Sequence, residues 1–235
     1  MGQSKRGLLG MFAVITILLL CQSAQSVVFA QEATSRTEEI EWTWEVRPAH
    51  ADAKLPNVLL LGDSITRAYF PEVQKQLTGV ANVYLIASST SVGDPRLSRQ
   101  IEEFSAAEGV QFSVVHFNNG MHGWAYSEAE YREAFPSFVS EIRTIAPKAA
   151  LIWATSTPVK KETEPGPTNA RVDARNGIAQ TLVKPAGIVI DDQHGLMVQH
   201  ADLYQDSVHF NDAGAAMQGK QAAEVIRGEL SRVVR

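Results

Sequence analysis

The chain has a single cysteine, Cys21, among its 235 residues. That excludes a disulfide framework, and because Cys21 lies in the apolar N-terminal stretch, the rest of the protein has no thiol for nucleophilic, redox or metal chemistry. Positive charge is also scarce: 21 Lys and Arg face 26 Asp and Glu, for a formal net charge of −5. Such a surface repels phosphate backbones and anionic headgroups, which argues against nucleic acid and anionic membranes as partners. The apolar run from Leu8 to Leu20 falls short of the roughly 20 residues that span a bilayer. There is no Gly-x-Gly-x-x-Gly fingerprint for a dinucleotide and no Gly-x-Ser-x-Gly elbow. Gly214 to Lys220 imitates a phosphate-binding loop, but Gln221 stands where Ser or Thr would hold magnesium, and the segment reads as helix. His194 and His200 lie near Asp191 and Asp192 in a spacing that matches no zinc pattern. Neither a metal nor a cofactor is expected, and no repeat or low-complexity tract is present.

The N-terminus has the form of a secretory leader. Lys5 and Arg6 precede the apolar run, and a small and polar stretch follows it, ending in Val28-Phe29-Ala30. Residues 1–30 are expected to be removed on export, an uncleaved anchor being the alternative. Leu20 is bulky where a lipoprotein site before Cys21 would need a small residue. Loss of Lys5 and Arg6 takes the net charge from −5 to −7. The mature protein is expected outside the cytoplasm, with no stable membrane insertion.

Residues 31–54 read as a polar, acidic surface extension in which Trp42 and Trp44 alternate. Their rings either pack on the domain edge or meet ligand. Residues 55–235 form one domain in which short apolar runs alternate with helical patterns. Strands are expected at 57–61, 82–87, 113–118, 149–154 and 187–190. Ser127 with Glu130 forms a capping box, and Tyr131, Phe135, Phe138 and Ile142 follow a 3.6-residue period, with Pro136 expected to kink or split that helix. In the last helix Ala215, Gly219, Ala222, Ile226, Leu230 and Val233 form one stripe. Five strands alternating with helices predict a three-layer α/β/α sandwich around a five-stranded parallel sheet in flavodoxin-like order.

Chemistry concentrates at two points. Gly62-Asp63-Ser64 follows the first buried strand, and Asp206-Ser207-Val208-His209 precedes the last helix, with Asn211 as a good N-cap. Both are loop positions, and ligands of open α/β sheets bind outside the carboxyl ends of the strands. A serine, an acid and a histidine in that order are the components of a serine hydrolase. Asp63 reads as structural within the serine turn, Thr66 as a helix cap, and His116 as a core histidine.

The two blocks, in this order and at opposite ends of an α/β domain, resemble the GDSL/SGNH hydrolase family over residues 55 to 233. The resemblance implies a carboxylic ester hydrolase without cofactor, in which Ser64 attacks, His209 is the base and Asp206 orients it. It also implies an oxyanion site built from the Ser64 and Gly93 backbone N–H groups and a side chain of a third block. That block, normally Gly-x-Asn-Asp, is altered here: Gly120-Met121-His122-Gly123 puts His122 in place of the asparagine. Asn119 and then Asn118 are the competing donors. The substrate implied is a small-molecule or carbohydrate ester, with sugar deacetylation a natural role for an exported member. The alternative is a catalytically weak carbohydrate-binding module that keeps the fold. Oligomeric state and acyl specificity are not written in these residues.

Overall fold

The computed structural model describes residues 34–233, so the leader expected over residues 1–30 lies outside the described residues. Strand β1 spans Thr43–Val46, β2 Asn57–Gly62, β3 Asn82–Ser88, β4 Phe112–Phe117, β5 Ala150–Ala154 and β6 Val189–Asp191. Helix α1 spans Ser64–Gln76, α2 Arg96–Glu108, α3 Glu128–Ile145, α4 Asn169–Val183, α5 Gln193–Met197 and α6 Asp212–Val233. The sheet order is β1-β3-β2-β4-β5-β6. From β3 to β6 every pairing is parallel, which is the flavodoxin-like arrangement.

The strands are continuous apolar runs because helices cover both faces. Leu59 and Leu61 of β2, with Val115 and Phe117 of β4 and Trp153 of β5, pack against α2, α3 and α4. The alternate residues Val58, Leu60, Leu85, Val114 and Ile152 pack against α1 and α6. Each Leu or Ile in these layers is worth roughly 2–5 kcal/mol against alanine.

Several expectations meet a different outcome or a refinement. The sheet has six strands, because Thr43–Val46 of the supposed surface extension pairs antiparallel with β3, Thr43 opposite Ser88 and Trp44 opposite Ala87. It covers an edge that would otherwise be open to pairing with other chains. Of the two outcomes expected at Pro136, the split does not occur: α3 runs through it as one helix, with the proline on the exposed face. The small residues of α6 pack closely against α1 as well as the sheet. A Cβ at Gly219 would come within 2.8 Å of the Tyr69 carbonyl oxygen, so the close approach requires glycine. Val233, placed in the buried stripe, is exposed.

Candidate active site

Ser64 is the first residue of α1. Asp63 is its N-cap: one carboxylate oxygen accepts from the Ile65 and Thr66 N–H groups, and its carbonyl accepts from Arg67 N–H. The helix cap is therefore Asp63, not Thr66, whose buried hydroxyl accepts from Tyr69. Among the first-turn donors, Asp63 leaves Ser64 N–H untaken. The positive end of the α1 dipole reinforces that donor.

Ser64 Oγ lies 2.7 Å from His209 Nε2, although 145 positions separate them in the chain. His209 Nδ1 is 2.8 Å from Asp206 Oδ2, while Asp206 Oδ1 accepts from the backbone N–H groups of Val208 and His209. Burial alone would push the Asp206 carboxyl up, but these bonds outweigh it and hold the carboxyl below its ordinary value. The loop carrying the pair is held on both sides. Gln205 N–H donates to the His209 carbonyl, and Lys160 N–H to the Ser207 carbonyl.

The three candidates for the third donor are placed differently. Asn118 donates to the Ala154 carbonyl and to Ser156 Oγ, so both amide hydrogens are taken by the end of β5. Asn119 accepts from Val92 N–H and donates to the Thr90 carbonyl, which makes it a brace of the loop after β3. Gly93 N–H, expected to face an oxyanion, donates to Ser91 Oγ at 3.2 Å, a long bond within its own turn. His122 is different. Its Nδ1 lies 3.0 Å from Glu38 Oε2, and its buried Nε2 has no partner among the described residues.

Glu38 was not singled out by any sequence motif. It lies 84 residues upstream, and its other oxygen accepts from Gly123 N–H at 2.9 Å. Gly123 sits at φ +68°, and a Cβ there would overlap Ser91, so the loops carrying Gly93 and His122 touch through a glycine. From behind, Arg175 of α4 donates to the carbonyls of Gly120, His122 and Gly123. Burial brings the Arg175 guanidinium down to about 10. Burial would also lower the His122 imidazole, but the Glu38 hydrogen bond and the charges of Asp63, Glu38 and Glu41 outweigh it and raise it above its ordinary value. The tautomer follows. With Nδ1–H given to Glu38, Nε2 is an acceptor in the neutral ring and a donor only in the imidazolium.

Residues 60–217 match the GDSL-like lipase/acylhydrolase family. The chain belongs to that family. No curated protein matches the sequence. Several solved structures share the GDSL fold. A lipase/acylhydrolase from Enterococcus faecalis superposes with a TM-score of 0.60 at 18% identity, over 74% of this chain and 96% of that one. A carbohydrate esterase family 3 protein from Talaromyces cellulolyticus gives 0.57 at 17%, over 76% and 100%. The C-terminal catalytic domain of peptidoglycan O-acetyltransferase A from Streptococcus pneumoniae gives 0.58 at 18%, over 75% and 96%. At these identities the likeness is one of fold, and the GDSL family assignment rests on the sequence match.

His116, read as a core histidine, is fully buried on β4, and its Nε2 lies 2.8 Å from Asp191 Oδ2 at the end of β6. It takes no part in the site around Ser64. His194 lies 3.2 Å from Asp173 of α4, whereas Asp191 ends β6 and Asp192 caps α5.

Proposed function

We propose that this GDSL-family chain is an exported serine esterase that removes acyl groups, acetyl foremost, from carbohydrate esters. The observation that carries the reading is the unbroken line from Ser64 Oγ through His209 to Asp206, at 2.7 and 2.8 Å. Those are the distances at which a base can take a proton from a nucleophile. His209 would accept the Ser64 proton as Oγ attacks the ester carbonyl, and Asp206 would hold the ring with Nδ1–H bound and stabilise the imidazolium. The alcohol leaves with that proton, and water activated by His209 then releases the acid.

The developing oxyanion would be met by Ser64 N–H, by Gly93 N–H once it exchanges Ser91 for substrate, and by His122 Nε2–H. One such donor is typically worth roughly 3–4 kcal/mol of barrier. A charged donor is stronger than a neutral amide. Export is supported by the leader pattern. Among the described residues no helix is long and apolar enough to cross a membrane. A carbohydrate alcohol is supported by the sugar-ester neighbours of the same fold.

The deciding experiment is turnover of p-nitrophenyl acetate and of acetylated xylan by the mature protein and by Ser64→Ala. The variant should lose more than about 10³-fold in kcat. Equal, near-background rates for the two proteins, with retained binding to the sugar polymer, would instead establish a binding module.

A further inference from the structure

Beside Ser64 stands a cation that the proposed mechanism does not use. Arg67 is three residues after Ser64 on α1, a spacing that puts the two side chains on one helix face with Cβ atoms about 5–6 Å apart. Its guanidinium lies 5.3 Å from the Trp42 ring centroid and 5.1 Å from that of Trp44. The indoles come from β1 and the residue before it, the segment that also delivers Glu38 to His122. Trp42 meets the His122 ring edge-on at 6.0 Å, so this surface is continuous with the site. Trp44 is 52% exposed. An indole left in water is a surface suited to stacking against a sugar face.

The charge on Arg67 is unanswered. Arg36, Arg47, Arg96, Arg171 and Arg175 each donate to carboxylates or carbonyls, whereas Arg67 has no hydrogen-bond or ion-pair partner for its guanidinium among the described residues. Several acids of the surrounding elements are engaged elsewhere. Asp63 caps α1, Glu38 holds His122, Glu41 meets Arg96, and Glu45 meets Arg47. Two rings restrict the guanidinium plane while its N–H edge keeps its donors. That edge matches a carboxylate in two-bond geometry.

We infer that Trp42, Trp44 and Arg67 form a subsite for an acidic sugar, which makes the substrate an acyl ester of a uronic-acid-containing glycan. The inference rests on the esterase reading for its catalytic consequence, and on Arg67 and the indoles alone for binding. The test uses a matched pair of substrates, acetylated methyl galacturonoside and acetylated methyl galactoside, which differ by a carboxylate against a hydroxymethyl group. At low salt the wild type should favour the uronate by tenfold or more in kcat/KM, with the preference shrinking as salt rises. Arg67→Gln should bring the ratio close to one, and Arg67→Lys should restore it only in part.

A second measurement stands apart from turnover. Trigalacturonate, which carries no ester, should change the tryptophan emission of Ser64→Ala, and Trp44→Phe or Arg67→Gln in that background should abolish the change. Equal hydrolysis of both esters by wild type, with the ratio untouched in Arg67→Gln, would overturn the subsite and leave the esterase standing. No hydrolysis of either ester would overturn the esterase, and the fluorescence titration would then decide the subsite: a change lost with Arg67 supports it, and no change refutes it.

Discussion

At the scale of single residues, His122 and His209 need opposite protonation states. In the proposed mechanism His209 must be neutral to accept the Ser64 proton, while His122 must be cationic to donate from Nε2, because Nδ1–H belongs to Glu38. Activity is therefore expected to fall as the pH rises through the His122 ionisation, which gives the profile of kcat/KM an alkaline limb. Burial opposes the charge on His122, and Glu38, with Asp63 and Glu41 also facing the ring, raises its pKa above the ordinary value, which moves the alkaline limb upward. Glu38→Gln should move that limb to lower pH. An overall loss of rate with an unmoved limb would reduce Glu38 to a structural brace. His122→Ala should cost roughly 10²–10³ in kcat without loss of fold. Ser64, Asp206 and His209 were legible because each motif is local: a cap turn after a strand, and an acid that binds its own histidine three residues on. The readiness of His122 was not legible, since it depends on a carboxylate 84 residues upstream that belongs to no motif.

Among the elements, β1 was hidden because a mostly exposed four-residue edge strand shows no apolar run. Its one visible signal was the alternation of Trp42 and Trp44, which places both indoles on one face of an extended chain. In α3 the split that Pro136 allowed does not occur. Proline in a helix interior removes one hydrogen bond and crowds the carbonyl four residues back, here that of Arg132. Pro136 and Arg132 are both on the exposed side, where water can serve that carbonyl, and Tyr131, Phe135, Phe138 and Ile142 bury the other face. The packed stripe outweighs the local cost and the helix continues, as tertiary burial commonly overrides propensity. Pro136→Ala should then relieve the cost without touching the core, and raise stability by about 1–3 kcal/mol in urea denaturation. An unchanged midpoint would mean that the proline contributes through the unfolded chain as much as it costs in the helix.

For the molecule as a whole, the alternation of apolar runs with helical patterns was enough to read the sandwich and its strand order, because burial on both faces writes itself into composition. What it could not reveal is the polar joint inside. Asp191 ends β6 and accepts from His116 of β4, from Gln193 of α5 and from Gln221 of α6, and its own carboxylate is closed to water. Four elements meet on one carboxylate, and no spacing in the chain relates positions 116, 191 and 221. Burial would raise the Asp191 carboxyl, but the His116 bond and charge and the two glutamine bonds outweigh it and depress it. A group depressed in the folded state stabilises above its unfolded value near 4, and that stability is lost as pH falls through the folded value. Asp191→Asn keeps the shape but turns an amide donor toward donors on one side, which should cost roughly 3–5 kcal/mol at neutral pH. For a domain of this size that is a fall of roughly 6–20 °C in Tm. The gap between wild type and variant should then narrow as pH is lowered below about 4, because the wild-type carboxyl takes up its own proton. A gap that stays constant down to pH 2 would show that packing around position 191, and not its charge, holds the four elements together.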